Sequence, residues 1–172
     1  LSLEMKFPMR ARRAAAGVVP GVAAGAAGTT ALNAITYLDM ALRGRPVSNI
    51  PEEAIEQASA KTHVAIPGNG ERRSNRVSGI AALSGIATGV GVGVLVGVLR
   101  GLGWQVSAPT TAVAAGAGAM AFANIPLAAS GLSDPRTWST ADWISDLVPH
   151  AAYGIVTAIV VCGLLPSPHP KR

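Results

Sequence analysis

The sequence predicts an all-α, polytopic membrane protein with four transmembrane helices. Three observations carry that expectation. Apolar runs without a charge lie at 14–38, 77–99, 101–133 and 147–165, and each reaches the roughly 20 residues that a bilayer span needs. Charged residues make up only 13% of the chain, about half the share in soluble domains. Glycines recur every four residues inside the runs, a spacing that suits close helix packing in lipid. Residues are 49% hydrophobic but only 4% aromatic, so Ala, Val and Gly replace the missing charge. That balance excludes a disordered chain, which needs low hydrophobicity and high net charge. A length of 172 residues suits one domain.

Residues 1–13 form a basic N-terminal segment with Lys6, Arg10, Arg12 and Arg13. The segment resembles the n-region of a signal peptide. The run after it exceeds a normal h-region and three further runs follow, so it reads as a retained first span. The chain begins with Leu, which points to Met5 or Met9 as alternative starts. The four-helix domain covers 14–165, with spans at about 14–38, 77–100, 109–132 and 144–165. Residues 166–172 form a tail. An extramembrane loop spans about 43–76, and within it Pro51–Lys61 reads as a short helix. Pro51 suits the first turn, and Glu52, Glu53 and Glu56 suit the positive N-terminal end of the helix dipole. Gly101–Pro109 leaves room for a tight loop. Ser139-Thr140-Ala141-Asp142 resembles a capping box at the start of the last span. Trp138 and Trp143 fit an interfacial belt.

The glycine pattern predicts zipper-like packing faces. Gly85, Gly89, Gly93, Gly97 and Gly101 share one helical face, and Gly17, Gly21 and Gly25 repeat the device in the first span. Gly116 and Gly118 offer a smaller version in the third. Such faces suit intramolecular packing, with oligomerisation or a glycine-lined pore as the alternative, and the partners expected are the lipid bilayer and a homo-oligomer or larger membrane complex. Matching spacings, Gly25 to Asn33 and Gly116 to Asn124, are compatible with parallel duplication of a helical hairpin.

Polar residues in spans are costly and favour the bundle interior. Asn33, Thr36, Tyr37 and Asp39 lie at the end of the first span, and Asn124 in the later half of the third. Asp142, Asp146, His150 and Tyr153 open the fourth. Alternating helix directions bring all of these toward the non-cytoplasmic side. Asn33, Asp39, Asn124, Asp146, His150 and Tyr153 therefore form a candidate polar or ion site. Asp146 would attract a cation or proton there, and His150, whose ionisation lies near physiological pH, would relay or coordinate it. The competing reading is hydrogen bonding between helices.

Other chemistry finds little support. Cys162 is the sole cysteine, so neither a disulfide framework nor a Cys-based zinc site follows. His63 and His169 lie in a loop and a tail, with no HExxH pattern, and no metal or cofactor is expected. No serine has a GxSxG context, and nothing identifies a catalytic residue. The net charge of +5 suggests anionic lipid rather than nucleic acid, because the basic residues flank the apolar runs without interleaved aromatics. Lys/Arg counts balance between the two sides. The basic cluster before the first span places both termini in the cytoplasm.

Two segments carry a family resemblance. Gly25-Ala-Ala-Gly-Thr-Thr-Ala-Leu-Asn33 continues to Tyr37-Leu-Asp-Met-Ala-Leu-Arg-Gly-Arg-Pro46, and Asp134-Pro-Arg-Thr-Trp138 to Asp142-Trp-Ile-Ser-Asp-Leu-Val-Pro-His-Ala-Ala-Tyr-Gly154. They resemble small actinobacterial integral membrane proteins of uncharacterised function and, more distantly, YagU-like inner-membrane proteins. The resemblance implies a four-helix membrane protein and no particular activity. The leading expectation is a structural or accessory component of a bacterial plasma membrane. The alternative is a small channel or transporter that uses the polar site.

Overall fold

A computed structural model describes residues 8–166. Its elements are α1 (Met9–Arg43), α2 (Ile50–Thr62), α3 (Gly70–Gly101), α4 (Ala108–Ala129) and α5 (Thr140–Leu164), with a 3-10 turn at Pro135–Thr137 before α5. No strand occurs among the described residues. The expected features at Met5, Lys6 and the 167–172 part of the tail fall outside them.

Four of the helices, α1, α3, α4 and α5, are long and apolar enough to cross a membrane. The outer helices overrun the charge-free runs. At 1.5 Å per residue, the 35 residues of α1 and 32 of α3 extend about 52 and 48 Å, against a hydrocarbon core of about 30 Å. The first turns of α3, with Arg72, Arg73 and Arg76, therefore project beyond the apolar layer. The expected start at residue 77 marks entry into lipid, whereas the backbone hydrogen bonds begin at Gly70.

Local signals set the ends. Gly44 closes α1 in the left-handed region (φ 64°), with its N–H bonded to the Met40 carbonyl. A side chain there would be strained. Pro51 occupies the first turn of α2, followed by Glu52 and Glu53. The Ser107 hydroxyl accepts from the Thr110 N–H at the start of α4. Ser139 and Asp142 form a reciprocal capping box on α5, as the sequence suggests. Pro20, Pro126 and Pro149 lie inside α1, α4 and α5 without ending them.

The largest interface joins α1 and α3, followed by α1 with α5 and α4 with α5. Glycines explain the first. A Cβ on Gly21 would lie 2.7 Å from the Gly93 carbonyl oxygen, and one on Gly25 would lie 2.7 Å from that of Gly89. Gly17 meets Gly97 as closely. The paired numbers rise on one helix and fall on the other, so α1 and α3 run antiparallel. The α4–α5 pair repeats the device. A Cβ on Gly116 would lie 2.8 Å from the His150 carbonyl oxygen, and one on Gly154 would lie 2.8 Å from the Gly116 nitrogen. Gly85 differs from its row, having open space around it. The tight approaches of α1 to the α3 glycines run from Gly101 to Gly89, where Thr29 lies against the helix.

Tyr153 fills the junction of α1, α3 and α5 and is fully buried, with Ala24, Val92, Val96, Ala115, Ala119 and Val161 in the same cluster. Its ring lies against Gly28, where a Cβ would approach within 2.8 Å. Outward faces carry Val19, Leu83, Val113, Ile125, Ile155 and Ile159, all exposed. An apolar exterior on the four long helices is what lipid solvates and water does not.

Candidate functional site

The chain ends of α1 and α4 and the starts of α3 and α5 meet at one end of the bundle. The expected polar residues are there, but they divide into separate groups. Asn124 on α4 donates to Asp146 Oδ2 on α5 at 2.9 Å, and to its own Met120 carbonyl at 3.1 Å. His150 stands one turn after Asp146, with Nδ1 2.7 Å from the Asp146 carbonyl and 3.5 Å from its Oδ1. Asn124, Asp146 and His150 therefore form one junction between α4 and α5. Antiparallel packing through Gly116 and Gly154 sets its register.

Asp39 belongs to a second group. It pairs with Arg43 and Arg45, and Ser145 Oγ donates to its Oδ2 at 3.3 Å. Arg43 Nη1 also donates to Ser145 Oγ at 2.7 Å, which ties the end of α1 to α5. Tyr153 lies deeper. Its hydroxyl donates to the Gly89 carbonyl at 2.6 Å, joining α5 to α3. One turn on, Thr157 Oγ1 donates to the Ala24 carbonyl at 3.4 Å.

Asn33 joins neither group and makes no side-chain hydrogen bond among the described residues. Helix geometry gives the reason. Leu32 lies four residues after Gly28 and packs against the core, and Asn33 is turned a further ~100° around α1. The six candidates are thus an α4–α5 junction, a surface ion network, a core tyrosine and an outlying asparagine.

The extramembrane part of this end is cross-linked. Arg73 on α3 makes a two-pronged ion pair with Glu56 on α2, and Gln57 Nε2 donates to the Ser130 carbonyl after α4 at 3.2 Å. The Arg73 guanidinium holds the Glu56 carboxyl below its usual range. Arg136 does the same to Asp134. Trp138 and Trp143 pack edge to face, with centroids 5.0 Å apart, and the Trp138 indole donates to Ser133 Oγ at 3.0 Å. Among the described residues, no three His, Cys, Asp or Glu side chains come together to hold a metal ion.

The opposite end holds a residue that the sequence reading treated only as a membrane flank. Arg100, in the last turn of α3, is 5% exposed. Its Nη2 donates to the Leu165 carbonyl at 3.1 Å, and its Nη1 to the Val106 carbonyl at 3.3 Å, with Thr111 Oγ1 at 3.5 Å. All three acceptors are neutral, and Nε is buried without a partner. A spacing signal does point to it. Val92, Val96 and Arg100 form a four-residue row beside the glycines, and every member is buried. Gly28 and Gly154 also fell outside the sequence reading of packing glycines, although Gly154 and Ala158 have small-xxx-small spacing.

No protein-family model matches the chain, and neither does any curated protein or solved structure.

Proposed function

We propose that this multi-pass membrane protein is a structural or accessory component of a bacterial plasma membrane, with its helices held by glycine zippers. One observation carries the reading: Asn124, Asp146, Tyr153 and Thr157 inside the bundle are hydrogen-bonded to one another or to backbone. Asn124 meets Asp146, Tyr153 meets Gly89 and Thr157 meets Ala24. Two surface clefts, one beside α3 at 64–83 and one at the termini end, are lined by other residues. In lipid, such bonds act as interhelical glue.

The basic cluster of Arg10, Arg12 and Arg13 directly before the apolar part of α1 supports termini on the cytoplasmic side. Among the described residues, Arg10, Arg12, Arg13 and Arg100 sit at the termini end without an acidic residue. Asp39, Glu52, Glu53, Glu56, Glu71, Asp134, Asp142 and Asp146 all sit at the other. At that second end Asp39, shared by Arg43 and Arg45, together with Glu56 and Asp134 offsets three of the seven basic charges. Kinship with the small actinobacterial membrane proteins belongs to the same proposal. Its support is the amino-acid sequence of the two segments, 25–46 and 134–154.

Purified protein in proteoliposomes tests the reading through proton and monovalent-cation flux. The expected result is flux equal to that of empty vesicles. Flux above that level that disappears in Asp146→Asn and His150→Ala would overturn it and establish a channel or transporter.

A further inference from the structure

We propose that the cleft at the termini end binds the phosphate of an anionic phospholipid headgroup, held by Arg13 and Arg100 with Gln105 beside them. The cleft is about 270 Å³, lined by Arg13 and Ala16 of α1, Arg100 and Gly101 of α3, Gln105, and Leu164 to Pro166 at the end of α5. The proposal rests on the membrane-spanning reading and goes beyond the structural role.

Three observations converge on it. Arg100 is a buried fixed cation whose partners are all uncharged, and its Nε has none. Guanidinium presents five donors in a planar fork that matches phosphate oxygens, and the charge of Arg100 at the cleft wall is met only by neutral oxygens, so an oxyanion there would balance it. Every ion pair among the described residues lies at the opposite end of the bundle, and among those residues Arg10, Arg12, Arg13 and Arg100 have no acidic partner. Finally, the wall is mixed. Ala16, Leu164, Leu165 and Pro166 give apolar surface next to the two guanidinium groups. A free phosphate has no use for that surface, whereas a phospholipid places its glycerol and first acyl carbons there. The site lies at the ends of α1, α3 and α5, the depth at which headgroups reside.

The close approach of α1 to α3 builds the pair. Gly101 lies directly against the Arg13 carbonyl, which brings the two cation-bearing backbones together. Arg100 also ties the α5 end to the α3–α4 turn through Leu165 and Val106. A purely structural arginine would do that alone, so the test must read lipid selectivity separately from stability.

Native mass spectrometry of the intact chain in mixed micelles provides that reading, with phosphatidylglycerol compared against phosphatidylcholine. The expected result is preferential retention of phosphatidylglycerol. Arg13→Ala is expected to weaken that retention about fivefold, the usual contribution of one basic residue near an anionic surface. Its thermal midpoint in neutral detergent should not change. Arg100→Lys keeps the charge, loses the fork and should also reduce the preference. Should Arg100→Lys fail to fold, Arg13→Ala and Gln105→Ala still decide the matter. Equal retention of both lipids, or full selectivity in Arg13→Ala, overturns the site while leaving the membrane reading intact. Displacement of the lipid by millimolar inorganic phosphate would assign the site to a free anion and overturn the lipid assignment. Failure to retain either lipid would likewise overturn the site.

Discussion

Replacing Gly93 by alanine puts a methyl group between two backbones. An ideal Cβ there would lie 2.6 Å from the Gly21 carbonyl oxygen and closer still to the Gly25 Cα, whereas ordinary contact begins near 3.4 Å. Both obstacles are main chain, so no side-chain rotation relieves them. The helices must separate by roughly 1 Å at the crossing, which also loosens Gly17 against Gly97 and Gly25 against Gly89. Overpacking of this kind costs about 1–3 kcal/mol. Gly85→Ala is the internal control, two row positions away on the same helix. Nothing lies within 4 Å of its added Cβ, and removing a helical glycine stabilises by about 0.5–1 kcal/mol. The two substitutions are chemically identical and should have opposite signs. Reversible unfolding in mixed micelles, followed by circular dichroism, measures both. Equal midpoints for Gly85→Ala and Gly93→Ala would refute the backbone contact.

Other substitutions probe different joints. Tyr153→Phe keeps the ring against Gly28 and loses only the bond to the Gly89 carbonyl, so it should cost about 1 kcal/mol. Tyr153→Ala empties the junction and should cost about 3–5 kcal/mol in the same unfolding assay. Ser139→Ala removes half of the α5 capping box and should cost about 1 kcal/mol, seen first as faster amide exchange at Thr140–Trp143. The α2–α3 tie should depend on pH. The folded protein holds Glu56 below its usual range, so the tie is fully present above that range and is lost as pH falls through the lowered value. Amide exchange in α2 should therefore accelerate on acidification, and Glu56→Gln should flatten that response.

The helical class was legible because bilayer thickness writes itself into run length. Helix ends were less legible, since charge marks where a helix leaves lipid rather than where its hydrogen bonds stop. The α3 residues Arg72 and Arg73 show the difference, lying in the helix but before the apolar run. The α5 start at Thr140 was readable through its capping box, because that signal is local. The candidate site was legible only in part. Asp146 and His150 are one turn apart on one helix, so spacing alone joins them. Asn33 could not be placed by depth in the membrane, because its direction depends on how α1 is rotated. That rotation is set by Gly25 and Gly28 meeting Gly89 and Tyr153. Gly85 was misgrouped for a related reason: a four-residue row continues along a helix after its partner has diverged. Arg100 reads as an ordinary flank by its charge, although it continues the Val92 and Val96 row, and the packing covers it with the α3–α4 turn and the end of α5.

Cysteine accessibility in intact cells tests the four-span account most directly. In a Cys162→Ser background, single cysteines at Arg10, Thr62, Gln105 and Thr137 sample the start of α1 and the three connections. The account predicts that a membrane-impermeant thiol reagent labels positions 62 and 137 from outside, and positions 10 and 105 only after permeabilisation. Labelling of 62 and 105 from the same side would contradict the alternation of spans, and external labelling of 10 and 105 alone would contradict the orientation.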